Sequence, residues 1–143
     1  MARARFAEIL RLLATEEVEF LVVGMTAGIL HGAPVTTVDL DVVHRRTPDN
    51  VARLLRVLSG HQILTTSLGD RDCLGSIDQG RGYEELVGQT EEMRLAGGLA
   101  VRVLGLAALI DAKERSGRPK DLAALPVLRA TLEEKGRRPT DRG

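Results

Sequence analysis

Asp39 and Asp41 lie two residues apart in the run Val38-Asp39-Leu40-Asp41-Val42-Val43. A strand turns successive side chains to opposite faces, so both acids point one way while Val38, Leu40 and Val42 point the other. Side chains at i and i+2 of a strand sit roughly 6.5–7 Å apart. Two anions on one face of an otherwise apolar strand are unfavourable without a compensating cation. Oxygen donors so arranged suit a hard ion such as Mg2+ or Mn2+, and that ion suits phosphate chemistry. Alternating acids also occur as plain surface polarity on solvated edge strands, but Leu40, Val42 and Val43 argue for a strand within the sheet.

Upstream, Val22-Val23-Gly24-Met25-Thr26 reads as a strand ending in glycine and opening a helix. Unpaired backbone N–H groups at such a turn favour phosphate, although glycine often serves only the backbone path there. Asp72 is a candidate third carboxylate, with Asp70 and Asp78 as competitors that suit turns. Lys113 and Arg118-Pro119-Lys120-Asp121 form a basic cluster with one embedded acid. It reads either as a solvated helical corner or as a phosphate clamp. His31, His44 and His61 share no metal-ligand spacing, and the single Cys73 reads as a small core residue.

These residues need a scaffold. Apolar spacing at Phe6, Ile9, Leu10 and Leu13 predicts a helix over 3–16, followed by a buried strand at Phe20–Val23. A short helix is expected from Thr26 to Leu30, the acidic strand over 38–43, and a helix opening at Thr47-Pro48-Asp49. That helix would carry Val51, Leu54, Leu55 and Leu58 and stop near Gly60. Strands are expected over 61–66 and 70–75, then a helical turn over 83–88. Gly97-Gly98 predicts a hairpin between 92–95 and 99–103. Helical spacing follows over 106–115 and 122–132, broken at Gly117-Arg118-Pro119. The sum is an α+β domain over residues 1–134, a small mixed sheet flanked by helices, with 135–143 as a flexible polar tail.

With 143 residues, 43% hydrophobic and 28% charged, the chain supports one globular core. Zero formal net charge and only Phe6, Phe20 and Tyr83 as aromatics argue against non-specific nucleic-acid binding and base stacking. One cysteine permits no internal disulfide. The amphipathic N-terminus is unlike a signal peptide, and no apolar run reaches membrane-span length, so a cytoplasmic protein is expected.

The ordered set resembles the minimal nucleotidyltransferase-fold superfamily, with its polymerase β-like palm. The resemblance runs through Phe20-Leu-Val-Val-Gly-Met-Thr-Ala27, Leu30-His31-Gly32, Pro34 and Thr37-Val-Asp-Leu-Asp-Val-Val43. It continues at Leu68-Gly69, Asp72 and Gly82-Tyr83-Glu84-Glu85-Leu86, then at Val101-Arg-Val-Leu104, Leu109-Ile110, Lys113 and Gly117-Arg-Pro-Lys-Asp-Leu122. It is similar above all to small bacterial proteins near the AbiEii-type toxins. The resemblance implies metal binding by Asp39, Asp41 and Asp72, and phosphate binding by Gly24, Met25 and Thr26. It gives Lys113 and Asp121 further roles in the site. The implied reaction moves an NMP from an NTP to a hydroxyl of RNA, protein or a small molecule. Partners would be an antitoxin-like protein or a second copy of the chain. Two positions depart from the pattern: Met25 replaces a second Gly or a Ser, and Val35 replaces a common Arg. A binding-only module of the same fold is the alternative expectation.

Overall fold

Phe20–Val23 (β1) is apolar at every position, and all four side chains are buried. Such a run gains most where both sheet faces are covered, each large side chain contributing about 1.5–3 kcal/mol. The computed structural model, which describes residues 2–35, 40–60, 73–74, 76–77 and 81–137, makes β1 the centre of a five-stranded mixed sheet. Its other strands are β2 (Asp41–His44), β3 (Cys73–Leu74), β6 (Thr90–Arg94) and β7 (Ala100–Leu104). Their order is β3-β2-β1-β7-β6. β1 runs antiparallel to β2 and parallel to β7, β2 is parallel to β3, and β6 is antiparallel to β7. A separate short pair joins β4 (Ser76–Ile77) to β5 (Arg81–Gly82). The architecture is α+β, with helices flanking a small mixed sheet.

The helices are α1 (Ala2–Thr15), α2 (Gly24–Leu30), α3 (Pro48–Gly60), α4 (Tyr83–Leu86), α5 (Leu106–Ser116) and α6 (Pro119–Arg137). α1 ends in a paired backbone cap: Val18 N–H donates to Leu13 O at 2.9 Å and Glu17 N–H to Ala14 O at 3.0 Å. That closure puts Glu17 at φ 61°, a left-handed conformation that glycine usually occupies. Thr47 caps α3, its hydroxyl accepting from Asn50 N–H at 3.3 Å. The fully buried Asn50 side chain then clasps the sheet. It donates to Glu19 O at 2.9 Å and Arg45 O at 2.8 Å, and accepts from Glu19 N–H at 2.6 Å. This ties the start of β1 to the end of β2, which fixes their register.

Several boundaries differ from expectation. α2 begins at Gly24 rather than Thr26, because the backbone turns into the helix at the glycine itself. Within the described residues β2 starts at Asp41, and the expected strand positions 38 and 39 lie outside them, as do 61–72. α3 buries Leu54 and Val57 while Leu55 is 58% exposed, so its apolar stripe is rotated away from Leu55. The β6–β7 hairpin pairs Arg94 with Ala100, giving a five-residue connection rather than a tight turn. Gly97 and Gly98 take positive φ there, as their sequence position suggests. α6 is longer than 122–132. It continues through Arg137, and the boundary drawn at 134 cuts through it. None of the helices among the described residues is long and apolar enough to cross a membrane.

Candidate functional site

The register Val23↔Asp41 places Asp41 beside the end of β1, where the chain turns through Gly24 into α2. Gly24 has φ 63°, and a β-carbon there would lie 2.9 Å from Asp41 Cγ and overlap its carboxylate. Only a glycine lets the Asp41 side chain lie directly on this turn. Asp41 is itself half-buried, at the mouth of the strand. Val23 precedes α2 in an extended conformation, and no side chain caps the helix start.

Within the turn, Gly24 and Met25 are half-buried and Thr26 is 4% exposed. Backbone, rather than the Thr26 hydroxyl, is the more accessible part. The Met25 side chain packs against the core, its methyl 3.7 Å from where a Gly28 β-carbon would sit. The thioether therefore runs along the helix toward the interior. Val35, the second departure from the family pattern, is also partly buried against the core.

Lys113 and Asp121 form an ion pair of 3.0 Å across the α5–α6 corner. The solvated-corner reading holds for Arg118, Pro119 and Lys120, which are exposed, but not for Asp121, which is 2% exposed. Burial would raise its carboxyl pKa, but donors from Ser116, Lys113 and Arg118 outweigh that and bring it down to about 2. Arg118 Nε donates at 2.9 Å, and the Ser116 hydroxyl contacts the same carboxylate oxygen. Gly117, at φ 66°, ends α5 and turns the chain back so that these donors converge. Ser116 lay outside the sequence reading of this corner. Its signal is its place beside the Gly117 break, two residues before Arg118.

The glycine turn and this corner sit on helices in contact. A β-carbon at Gly28 would be 3.0 Å from Leu128 Cδ2 and 3.6 Å from Leu109 Cδ2, so α2 lies close against both α5 and α6. Lys113 follows Leu109 by four residues and Asp121 precedes Leu128 by seven. Helical spacing therefore puts the pair on the faces that α5 and α6 turn toward α2.

Comparison with family models, curated proteins and solved structures gives no match. The site must be judged on its own chemistry. Asp39 and Asp72 lie outside the described residues, as do Asp70, Arg71, Asp78 and His61. Among the described residues no three His, Cys, Asp or Glu side chains form a metal-holding group. Of the expected triad, the structure thus describes Asp41 alone.

A second buried contact joins residues far apart in the chain. His31, at the end of α2, is buried, and its Nε2 lies 2.9 Å from Leu104 O. A carbonyl only accepts, so Nε2 carries the proton and Nδ1 is a lone-pair acceptor. Lys135 Nζ donates to that Nδ1 at 2.7 Å. Burial first, then the Lys135 charge, pushes the imidazole pKa below its ordinary value, against the Leu104 hydrogen bond and Glu91.

Proposed function

We propose that the chain is a metal-dependent nucleotidyltransferase that moves an NMP from an NTP to a hydroxyl acceptor. The observation that carries this reading is the Asp41 carboxylate lying on the Gly24 turn. A half-buried oxygen donor there adjoins a helix start without a side-chain cap, so anion-binding backbone and cation-binding carboxylate are neighbours. The donor chemistry fits Mg2+ or Mn2+, which Asp39, Asp41 and Asp72 would hold. When bound, such an ion neutralises charge on phosphoryl oxygens.

The chain's own residues would then divide the remaining work. Backbone N–H groups at Gly24, Met25 and Thr26 orient triphosphate oxygens, and the Gly24 backbone leaves room for Asp41 beside them. The inward packing of Met25 supports an open approach to the backbone. Asp121, held ionised by its three donors, fixes the Lys113 ammonium on the α5 face toward α2. Lys113 there supplies positive charge for a phosphate group. The acceptor and an antitoxin-like or self-associated partner belong to the same proposal.

Incubation with each labelled NTP, Mg2+ or Mn2+, tRNA and cell extract tests this reading. Label should move to an acceptor with the native chain and not with Asp39→Ala or Asp41→Ala. Absence of transfer with every NTP, alongside measurable NTP binding, would leave the binding-only alternative in its place.

A further inference from the structure

A cavity of about 350 Å3 lies between the turn that follows α2 and the C-terminal half of α6. Val127, Ala130, Thr131 and Glu134 recur at helical spacing and form one wall, and His31, Gly32 and Pro34 form the other. Lys135 lines it too, at the point where its ammonium meets His31.

The partner of Lys135 sets the chemistry. Lys113 and Arg118 share one carboxylate, which offsets one of their two charges. Lys135 donates instead to an imidazole whose other nitrogen must keep its proton for Leu104 O, so that partner is neutral. Among the described residues no carboxylate pairs with Lys135. The contact uses one of its three N–H donors and leaves two, with a full positive charge, on a side chain fixed in direction. One ammonium, with the carboxylates of Glu134 and Glu91 nearby, matches a single negative charge better than two. Val127, Ala130 and Pro34 offer apolar surface, while the Thr131 hydroxyl donates to Val127 O at 2.7 Å and can only accept from a ligand.

We propose that this cavity is a binding site for a small molecule carrying one singly charged oxyanion, a carboxylate or a phosphodiester, on an apolar body. Lys135 grips the oxyanion, His31 holds Lys135 in place, and the apolar wall takes the rest of the ligand. The volume falls within the range usual for small-molecule sites. The proposal stands apart from nucleotidyl transfer, and its test involves no reaction.

The full chain is titrated with benzoate and, separately, with 3′,5′-cyclic AMP, following the His31 ring signals by NMR. The carboxylate and phosphodiester arms distinguish the two sources of the oxyanion. Saturable shifts with at least one probe, and weaker binding of inorganic phosphate at pH 8, are expected. Lys135→Met should weaken binding roughly tenfold or more, and Lys135→Arg should largely retain it. Ala130→Glu changes an exposed position without touching the His31–Lys135 contact, and should also weaken binding by adding a second carboxylate to the wall that carries Glu134. No saturable shift with either probe overturns the proposal. So does undiminished affinity in folded Lys135→Met or in Ala130→Glu.

Discussion

Gly24 and Asp41 are interlocked: the carboxylate of Asp41 occupies the space that any β-carbon at Gly24 would need. Two independent constraints therefore fall on one residue. The backbone there is left-handed at φ 63°, and the side of the turn is filled. The left-handed conformation alone costs a non-glycine residue about 1–2 kcal/mol, and overpacking adds about 1–3 kcal/mol. Gly24→Ala should accordingly destabilise the protein by about 2–5 kcal/mol in urea unfolding. In the double variant Gly24→Ala/Asp41→Gly the steric part should vanish. The remaining effect of Gly24→Ala should then fall to about 1–2 kcal/mol. Equal costs in both backgrounds would show that the carboxylate does not press on the turn.

Glu17 presents the opposite opportunity. It holds φ 61° at the end of α1, in a cap already closed by the Val18 and Glu17 N–H groups. Its side chain is exposed, so little packing is lost by removing it. Glu17→Gly should stabilise the fold by about 0.5–1 kcal/mol, relief of the left-handed cost exceeding the entropy that glycine adds to the unfolded chain. A lower midpoint of thermal unfolding would contradict this.

Those two residues show what local sequence does and does not reveal. β1, the Gly97-Gly98 turn and the Gly117 break were legible because apolar runs and left-handed turns are local properties. The neighbouring placement of Gly24 and Asp41 was implied by family resemblance, but their interlock depends on the Val23↔Asp41 register, which local spacing does not specify. The dense charges at the Asp121 corner left a solvated corner and a phosphate clamp both open, and spacing does not show that the acid is buried. Three donors meeting at one carboxylate make its burial tolerable. Lys135 fell into a polar tail for the same reason. Its partner His31 is 104 residues away, beyond any periodicity. Leu55 joined the expected apolar face by type, while Leu54 and Val57 are the α3 side chains buried in the core.

His31 should make stability depend on pH near neutrality. Its folded pKa lies below the ordinary 6.5, so between those values the unfolded chain binds more protons. The stabilisation is complete above the unfolded pKa and is lost as pH falls toward the folded one. His44 is lowered as well, by burial and then by Arg46, and contributes with the same sign. Unfolding free energy measured from pH 7.5 to 5 should therefore decline, and His31→Gln should decline less steeply. An unchanged slope in that variant would assign the whole dependence to other groups.

Asp121 governs a lower window. Its folded pKa of about 2 is depressed from 3.8, so its contribution is present above the unfolded value and is lost as pH falls through the folded one. The difference corresponds to about 2 kcal/mol. Asp121→Asn removes this contribution and also leaves the Lys113 ammonium, only 15% exposed, without its counter-charge. Breaking such a pair costs about 3–5 kcal/mol at neutral pH. Lys113→Met should cost less, because Ser116 and Arg118 still serve the carboxylate. The order expected in chemical denaturation at pH 7 is thus native, then Lys113→Met, then Asp121→Asn. Between pH 4 and 2 the native chain should lose stability more steeply than Asp121→Asn. Parallel curves for the two would mean that the three donors do not hold this carboxylate ionised. If Asp121 fixes Lys113 for phosphate, nucleotide affinity should also fall in Asp121→Asn measured at a temperature where the variant stays folded.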